Sequence, residues 1–254
     1  MTRLSANLGF LWPELELLDA IRAAHDAGFE AVEVHWPYIT HALEVALVLE
    51  ELGIPLICLN TVGGDLAGGE FGLSALPGRQ EEAQASIDKA LAYAVDVSAQ
   101  FIHVLAGKAS GESARDAYIE NLRYAAQKGR DFGVGVLIEP ISAGTQDGYY
   151  LTHVDQAAAI VRDTGEPNVK ILFDCYHVQL TEGDLIERVR SHLGIIGHIQ
   201  IASVPDRTEP DHGEVDYPAL LAQIDELGYR GHIGAEYKPT GRTADGLGWM
   251  RSLL

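Results

Sequence analysis

The sequence predicts an α/β fold, a (β/α)8 TIM barrel formed by a single domain over residues 1–254. Apolar, strand-like segments alternate with amphipathic, helix-like segments eight times along the 254 residues. Strict alternation implies parallel strands with right-handed crossovers, and roughly 250 residues is the usual length for eight βα units that close into a barrel. The alternative is an open doubly wound sheet, which would more naturally have a glycine-rich phosphate turn after its first strand, and SANLGFLWP is not such a turn.

The first four βα units are predicted from alternation and from helix end signals. Residues 3–10 alternate apolar and small polar residues, as a strand does. Pro13 and the acidic residues after it open a helix that Gly28 ends. The further strands predicted in this half are 29–37, 54–60 and 101–107, and the further helices are approximately 40–52, 79–98 and 113–132.

The last four units repeat the pattern with more strongly apolar strands. The stretch VGVLIEPIS is typical of a strand buried on both faces, and Thr152 can cap the helix that follows the polar loop 142–152. The strands predicted in this half are 134–142, 169–174, 197–202 and 231–237, and the helices are approximately 152–164, 182–193, 217–227 and 244–253.

Composition limits the classes of partner. The chain has 18 basic and 37 acidic residues, a net charge of −19, and an acidic surface repels phosphate backbones, so we expect no nucleic-acid partner. No apolar run approaches the roughly 20 residues of a membrane span, and the N-terminus lacks signal-peptide features, so we expect a cytoplasmic protein without a membrane partner. Cys58 and Cys175 lie in apolar, strand-like surroundings and are expected to be buried thiols rather than a disulfide.

Four predicted strands each carry an oxygen-bearing side chain near the C-terminal end, where the catalytic groups of such barrels lie. They are Glu139, Asp174, Gln200 and Glu236, each about one βα unit from the next. Carboxylates that converge in a buried pocket repel each other, and a divalent cation removes that repulsion. Oxygen ligands of this kind suit Mg²⁺ or Mn²⁺ better than Zn²⁺. The alternative is that one or two of these acids form structural salt bridges with basic residues.

Histidine, arginine and glycine residues add a second group of candidates. His177 follows Asp174 by three residues and is a candidate for contact with a substrate hydroxyl or with the metal's surroundings. Arg207, in the loop after the seventh strand, is a candidate ligand for a substrate carboxylate, because its fork donates two parallel hydrogen bonds; a surface arginine is the alternative. His103 and His198 fall inside apolar runs and are expected to be core histidines.

The glycine-rich loop 61–78 is predicted to be a lid or binding loop rather than a nucleotide site. Long ordered loops are usually functional, and this one lacks the GxxxxGK[ST] pattern of a phosphate-binding loop.

The segments LIEPIS, ILFDCYHVQ, GHIQIASVPDRTEPDHGEVDYPALL and EYKPTG resemble the hydroxypyruvate isomerase family of xylose-isomerase-like barrels. The resemblance implies one divalent metal ion held by Glu139, Asp174, Gln200 and Glu236, with Glu139 and Glu236 also acting as the acid/base pair. Gln200 favours this branch, because related sugar epimerases usually have a histidine there. The related DNA-repair enzymes hold three zinc ions with a longer set of ligands, and the absence of that set argues against a DNA substrate.

The function expected from this resemblance is isomerisation of hydroxypyruvate to 2-hydroxy-3-oxopropanoate (tartronate semialdehyde) through an enediol. His177 and Arg207 would bind the hydroxyl and carboxylate ends of this small carboxylated hydroxy-keto substrate. The alternatives are a 2-oxo-tetronate isomerase or ketose 3-epimerase, a metal-assisted hydrolase or endonuclease, and a non-catalytic binding protein. The sequence leaves open whether aromatics such as Trp36 and Tyr38 cover a partner's site in a homo-oligomer or pack within the chain.

Overall fold

The computed structural model describes residues 2–253 and shows a closed barrel of eight parallel strands that pair in sequence order. This arrangement confirms the predicted (β/α)8 barrel. The predicted domain limits at residues 1 and 254 lie outside the described residues. The strands are β1 Arg3–Asn7, β2 Ala31–Val34, β3 Leu56–Asn60, β4 Phe101–His103, β5 Gly135–Ile138, β6 Val169–Asp174, β7 Ile196–Ile201 and β8 His232–Ala235.

Helices cover the outside of the barrel and join consecutive strands. Their apolar faces pack on the strands and merge with them into one large core, as expected for a barrel whose strands are buried on both faces. The helices are α1 Leu17–Asp26, α2 Ala42–Leu52, α3 Gln80–Asp96, α4 Glu112–Arg130, α5 Val154–Thr164, α6 Cys175–Thr181, α7 Leu185–His192, α8 Tyr217–Leu227 and α9 Met250–Leu253.

Several strands end earlier than their sequence pattern predicts. β4 was predicted over 101–107 but ends at His103, and β5 was predicted over 134–142 but ends at Ile138. The residues beyond these strands leave the barrel sheet and contact the neighbouring loops; Ala106, for example, pairs with Gly72 in an isolated antiparallel bridge. The apolar character of these extensions reflects burial under loops rather than strand pairing.

The prediction for residues 175–193 was wrong in one respect. A helix was expected only from about residue 182, but α6 begins directly after β6. The side chain of Asp174 accepts a hydrogen bond from the Tyr176 backbone N–H at 2.9 Å, which caps the helix without an intervening turn. The predicted C-terminal helix over 244–253 consists instead of two 3-10 turns, Thr243–Asp245 and Leu247–Trp249, followed by the short α-helix Met250–Leu253.

Strand register places two of the predicted site residues directly opposite each other. Asp174 on β6 lies opposite Gln200 on β7, and Gln200 lies opposite Gly234 on β8.

Cys58 and Cys175 are buried and free, which confirms that they form no disulfide. No helix within residues 2–253 combines the length and apolar character needed to cross a membrane.

Candidate active site

The C-terminal ends of the strands surround a cavity of about 370 Å³. Its floor is formed by side chains from the strand ends, and its wall includes aromatic residues from the surrounding loops, among them Phe10, Trp36 and Phe71. Phe71 belongs to the glycine-rich loop 61–78, which agrees with the prediction that this loop contributes to a binding site. Thr145 and Gln146 bring in the loop after β5.

The four predicted metal ligands lie at this end of the barrel. Glu139 and Glu236 are the first residues after β5 and β8, Asp174 ends β6, and Gln200 is the last residue but one of β7. All four are buried, and all except Asp174 line the cavity directly. Four consecutive strands therefore deliver three carboxyl groups and one amide to one side of the cavity.

Glu236 is surrounded by hydrogen-bond donors. Its Oε1 accepts from Asn7 Nδ2 at 2.9 Å and lies 3.0 Å from His35 Nε2, while Oε2 accepts from Arg207 Nη2 at 2.6 Å. Burial alone would raise the pKa of Glu236, but the charge of Arg207 and the hydrogen bond from His35 outweigh it and hold this pKa well below its usual range. Glu236 is therefore an anion at neutral pH.

Glu139 and Asp174 have the opposite character. Burial, followed by the charges of Glu236 and Asp174, raises the pKa of Glu139 well above its usual value. Burial also raises the pKa of Asp174 to about 7, although the charge of Arg207 lowers it. Without a cation, Glu139 therefore favours its protonated form and Asp174 titrates near neutral pH, whereas Glu236 stays ionised.

Two of the four predicted ligands, Glu139 and Gln200, each have a buried oxygen atom that could bind a divalent cation. Among the described residues, Glu139 Oε1 and Gln200 Oε1 are both buried and unpartnered. A buried acceptor without a donor is costly, and a cation ligated by carboxylate and amide oxygens would satisfy it. Glu139, Asp174 and His177 form a further group, whose ligand atoms lie within 4.8 Å of one another. Both groups of atoms are therefore candidates for binding a cation.

His177 lies on α6 and faces both acids. Its Nε2 is 3.5 Å from Asp174 Oδ2 and 3.9 Å from Glu139 Oε1, and its Nδ1 is 3.0 Å from Ser142 Oγ. Burial and the charge of Arg207 lower the pKa of His177 to about 3, so the ring is neutral. A neutral imidazole in this position can share one proton with an acid or with a substrate hydroxyl.

Arg207 is largely buried, so the alternative prediction of a surface arginine is wrong. Its side chain is only 11% exposed, and the guanidinium carbon lies 5.0 Å from the centre of the Phe10 ring and 4.9 Å from that of Tyr176. Besides Glu236, its Nη2 contacts Asp174 Oδ2 at 3.4 Å. The Lys238 backbone N–H donates to Arg207 O at 2.8 Å, which ties the loop after β7 to the segment after β8. The sequence left open that one or two of the acids form salt bridges with basic residues, and Glu236 does form one, with Arg207.

Sequence reasoning assigned no role to several polar residues of β1–β4 that reach the same region. Asn7 and His35 contact Glu236, and Asn60 Oδ1 lies 3.2 Å from His103 Nδ1. His103 was expected to be a core histidine; it is buried, but it also lines the cavity, and its Nε2 is 3.7 Å from Glu139 Oε2. One available signal was that Asn60 ends the predicted strand 54–60 and that Glu33 and His35 are polar residues late in the predicted strand 29–37.

Glu33 is the most deeply buried of these residues, at 0% exposure inside the barrel. One of its oxygens accepts from Ser5 Oγ at 2.6 Å and lies 2.8 Å from His198 Nε2, and the other accepts from Gln200 Nε2 at 2.7 Å. Burial alone would raise the pKa of Glu33, but the charge of His198 and these hydrogen bonds outweigh it and lower the pKa. His198 is therefore a core histidine, as predicted, with a carboxylate partner.

The sequence over residues 21–253 matches the family described as xylose isomerase-like TIM barrel. The chain belongs to the xylose isomerase-like TIM barrel family. It is 43% identical to a 2-oxo-tetronate isomerase of Cupriavidus necator over 100% of this chain and 99% of that protein. It is 38% identical to the hydroxypyruvate isomerase of Escherichia coli over 98% of each protein.

A solved structure agrees with the fold throughout. The chain superimposes with a TM-score of 0.96 on a Brucella melitensis protein described as an AP endonuclease of family 2, with 38% identity over 99% of this chain and 98% of that one. The resemblance read from the sequence is thus confirmed at the level of the family. The full-length similarity to two kinds of isomerase identifies the chain as an isomerase of the aldose–ketose type, and its substrate as a small molecule.

Proposed function

We propose that this protein is a metal-dependent isomerase that interconverts hydroxypyruvate and 2-hydroxy-3-oxopropanoate by proton transfer. The observation that carries the proposal is the contrast between two carboxyl groups at one cavity. Glu236 is held as an anion by Arg207 and His35, while burial and neighbouring acids favour the protonated form of Glu139. A pair of acids with separated pKa values is the arrangement that acid/base chemistry requires.

The reaction needs one group that removes a proton and one that returns it. In the proposed forward direction, the Glu236 carboxylate removes a proton from C3 of hydroxypyruvate. The electron pair of that C–H bond forms the C2–C3 double bond of an enediol, and negative charge develops on the C2 oxygen. Glu139 then delivers its proton to C2, while the C3 hydroxyl proton passes to the C2 oxygen and C3 becomes the aldehyde. The reverse reaction exchanges the roles of the two acids.

Glu139, Asp174, Gln200 and Glu236 would hold one divalent ion, Mg²⁺ or Mn²⁺, by their oxygens. When bound, such an ion supplies Lewis-acid stabilisation of the negative charge that develops on the substrate oxygens. The buried, unpartnered oxygens of Glu139 and Gln200 support this set. His177, whose Nε2 lies near Glu139 and Asp174, would contact a substrate hydroxyl at the edge of the site.

The cationic side chains at the cavity support a carboxylated substrate. Arg207 and Lys238 both line it, Arg207 near the acids and Lys238 with an exposed side chain. The guanidinium of Arg207 binds Glu236 in this structure, so it would reach a substrate carboxylate through its remaining N–H groups. The volume of about 370 Å³ and the aromatic wall favour a compact acid over an extended polymer.

A 2-oxo-tetronate is the second candidate substrate. This substrate is favoured by sequence identity, which is 43% to the 2-oxo-tetronate isomerase of Cupriavidus necator and 38% to the hydroxypyruvate isomerase of Escherichia coli. The chemistry and the residues in their roles would be the same, and the cavity would have to accept one further carbon with its hydroxyl group.

The deciding experiment is a substrate screen with purified protein, supplied separately with Mg²⁺ and Mn²⁺ and followed by NMR. Hydroxypyruvate, 2-oxo-tetronates and small neutral ketoses are compared by kcat/KM. The proposal expects a carboxylated substrate to be preferred over every neutral ketose, with hydroxypyruvate first. Preference for a neutral ketose would contradict it. Several zinc ions per chain together with cleavage of abasic DNA would favour a hydrolase instead.

A further inference from the structure

We infer that Glu33 is a positioning residue that orients the side-chain amide of Gln200, so that the amide oxygen rather than the NH₂ group faces the metal site. The inference rests on the proposed function, because it gives Gln200 Oε1 a cation to bind. Glu33 belongs to β2 and Gln200 to β7, and their side chains meet inside the barrel, where Gln200 also lines the cavity.

The direction of one hydrogen bond carries the inference. Gln200 Nε2 donates to Glu33 Oε2 at 2.7 Å. Glu33 accepts hydrogen bonds on both of its oxygens, from Ser5 Oγ on one and from Gln200 Nε2 on the other, whereas an amide has an acceptor end and a donor end. If the side-chain amide of Gln200 rotated by 180°, its oxygen would face the Glu33 oxygen that now accepts the hydrogen bond, and the two oxygens would repel each other. The rotation would also point an NH₂ group at the place where the acids gather. The acidic partner therefore permits one orientation of the amide.

The other end of the amide is free to bind a ligand. Gln200 Oε1 is buried and has no hydrogen-bond partner among residues 2–253. Glutamine oxygens are suitable ligands for hard divalent cations, whereas an NH₂ group is not. The hydrogen bond to an anion also polarises the amide and increases the negative partial charge on its oxygen.

Glu33 is itself held on its other oxygen, so it can act as a fixed template. Oε1 accepts from Ser5 Oγ at 2.6 Å and lies 2.8 Å from His198 Nε2. Strand β8 leaves space for the Glu33 carboxylate because it has a glycine at position 234. A Cβ atom on Gly234 would lie only 2.3 Å from Glu33 Oε1 and 2.8 Å from Gln200 Cγ. Residues of β1, β2, β7 and β8 thus enclose the carboxylate and fix where it points.

The test measures Mn²⁺ affinity by electron paramagnetic resonance in the wild-type protein and in E33Q. The substitution keeps the size of the side chain but replaces one acceptor with a donor, so that Gln200 is satisfied in either orientation. We expect Mn²⁺ to bind roughly 10- to 100-fold more weakly, which is the usual effect of losing a partner that orients a metal ligand. The metal-free melting temperature and circular dichroism show whether the variant is folded.

S5A is the matched control. It removes a hydrogen bond from the same carboxylate but leaves the contact between Glu33 and Gln200 in place. We expect its Mn²⁺ affinity to stay much closer to that of the wild type than to that of E33Q. An equal loss in S5A and E33Q would point to general packing and would overturn the inference.

The exchanged pair E33Q/Q200E separates orientation from packing. At position 200 a carboxylate presents an oxygen in either orientation, and the amide at position 33 can donate to it. We expect this double variant to recover much of the affinity that E33Q loses. We also expect Q200E alone to lower the metal-free melting temperature, because two carboxylates would then face each other. If E33Q does not fold, the comparison of E33Q/Q200E with Q200E and the wild type still tests the pairing.

The outcomes distinguish this inference from the proposed function. Wild-type affinity in a folded E33Q would overturn the role of Glu33 while leaving the metal site intact. Failure of the double variant to bind more tightly than E33Q would also overturn it. A wild-type protein that binds no Mn²⁺ would overturn the proposed metal site and, with it, the inference.

Discussion

The two halves of the cavity differ in what their strands supply. β5–β8 contribute the acids and the amide: Glu139, Asp174, Gln200 and Glu236. β1–β4 contribute side chains that contact these groups: Asn7 and His35 lie against Glu236, Glu33 against Gln200, and His103 near Glu139. One half holds the groups proposed to react and to bind the metal, and the other sets their orientation and charge.

This difference explains how similar carboxyl groups acquire opposite properties. Glu139 and Glu236 are both buried and both follow a strand, but only Glu236 has Asn7, His35 and Arg207 against it. The pKa of Glu236 is lowered and that of Glu139 is raised. The neighbours contributed by the opposite half of the barrel and by the loop after β7 decide the protonation state, because burial alone would raise both values.

The largest effect is expected from removing an acid of the β5–β8 half. Glu236→Gln keeps the shape of the side chain but cannot remove a proton, so kcat should fall roughly 10²- to 10⁴-fold. Steady-state assays with hydroxypyruvate measure this loss. Glu209→Gln is the control, because Glu209 is also buried but binds Thr240 away from the cavity. Near-normal turnover in Glu236→Gln would remove this residue from the proton transfer.

The next effect concerns the pH dependence of metal binding. The pKa of Asp174 is raised to about 7, so near neutral pH the metal-free protein carries at this carboxyl group a proton that a cation must displace. Mn²⁺ affinity should therefore fall, by roughly tenfold or more, as the pH drops from about 8 to about 6. Calorimetric titration in buffers of different ionisation enthalpy counts the protons released. Affinity that does not change with pH would contradict the assigned protonation states.

A smaller effect tests the β1–β4 half. Asn7→Ala removes a hydrogen bond to the Glu236 carboxylate, so the pKa of Glu236 should rise. An NMR titration of the Glu236 carboxyl group should show its pKa about one unit higher than in the wild type, since a hydrogen bond to a charged group is worth about 1.5 kcal/mol. Asn60→Ala is the matched control, because Asn60 also ends a strand but contacts His103 instead. Equal shifts in both variants would contradict a specific role for Asn7.

The smallest effect concerns substrate choice at the rim. Lys238→Met removes a cation from the cavity lining, so the KM for a carboxylated substrate should rise roughly threefold to tenfold while kcat changes less, as expected for a partly exposed ion pair. Lys108→Met serves as the control, because Lys108 is exposed but does not line the cavity. Unchanged KM in Lys238→Met would exclude this residue from binding the carboxylate.

The same contrast between halves explains what the sequence could predict. The fold follows from alternation over the whole chain, and the acids of β5–β8 stand out because each follows an apolar run in which a charge is costly. Glu33 gives a weaker signal: its partners Ser5, His198 and Gln200 lie on other strands and meet it only when the barrel closes. α6 was missed because its cap, Asp174, is also a site residue, and no turn separates it from β6.

The most direct test of the central claim is the fate of hydrogen during turnover in D₂O with Mn²⁺ present. If Glu139 and Glu236 transfer protons through an enediol, deuterium should appear at C2 of 2-hydroxy-3-oxopropanoate and at C3 of recovered hydroxypyruvate. Both signals should depend on the enzyme and be absent with Glu236→Gln. Interconversion with complete retention of the substrate hydrogen would contradict proton transfer and would indicate a hydride shift between the two carbons.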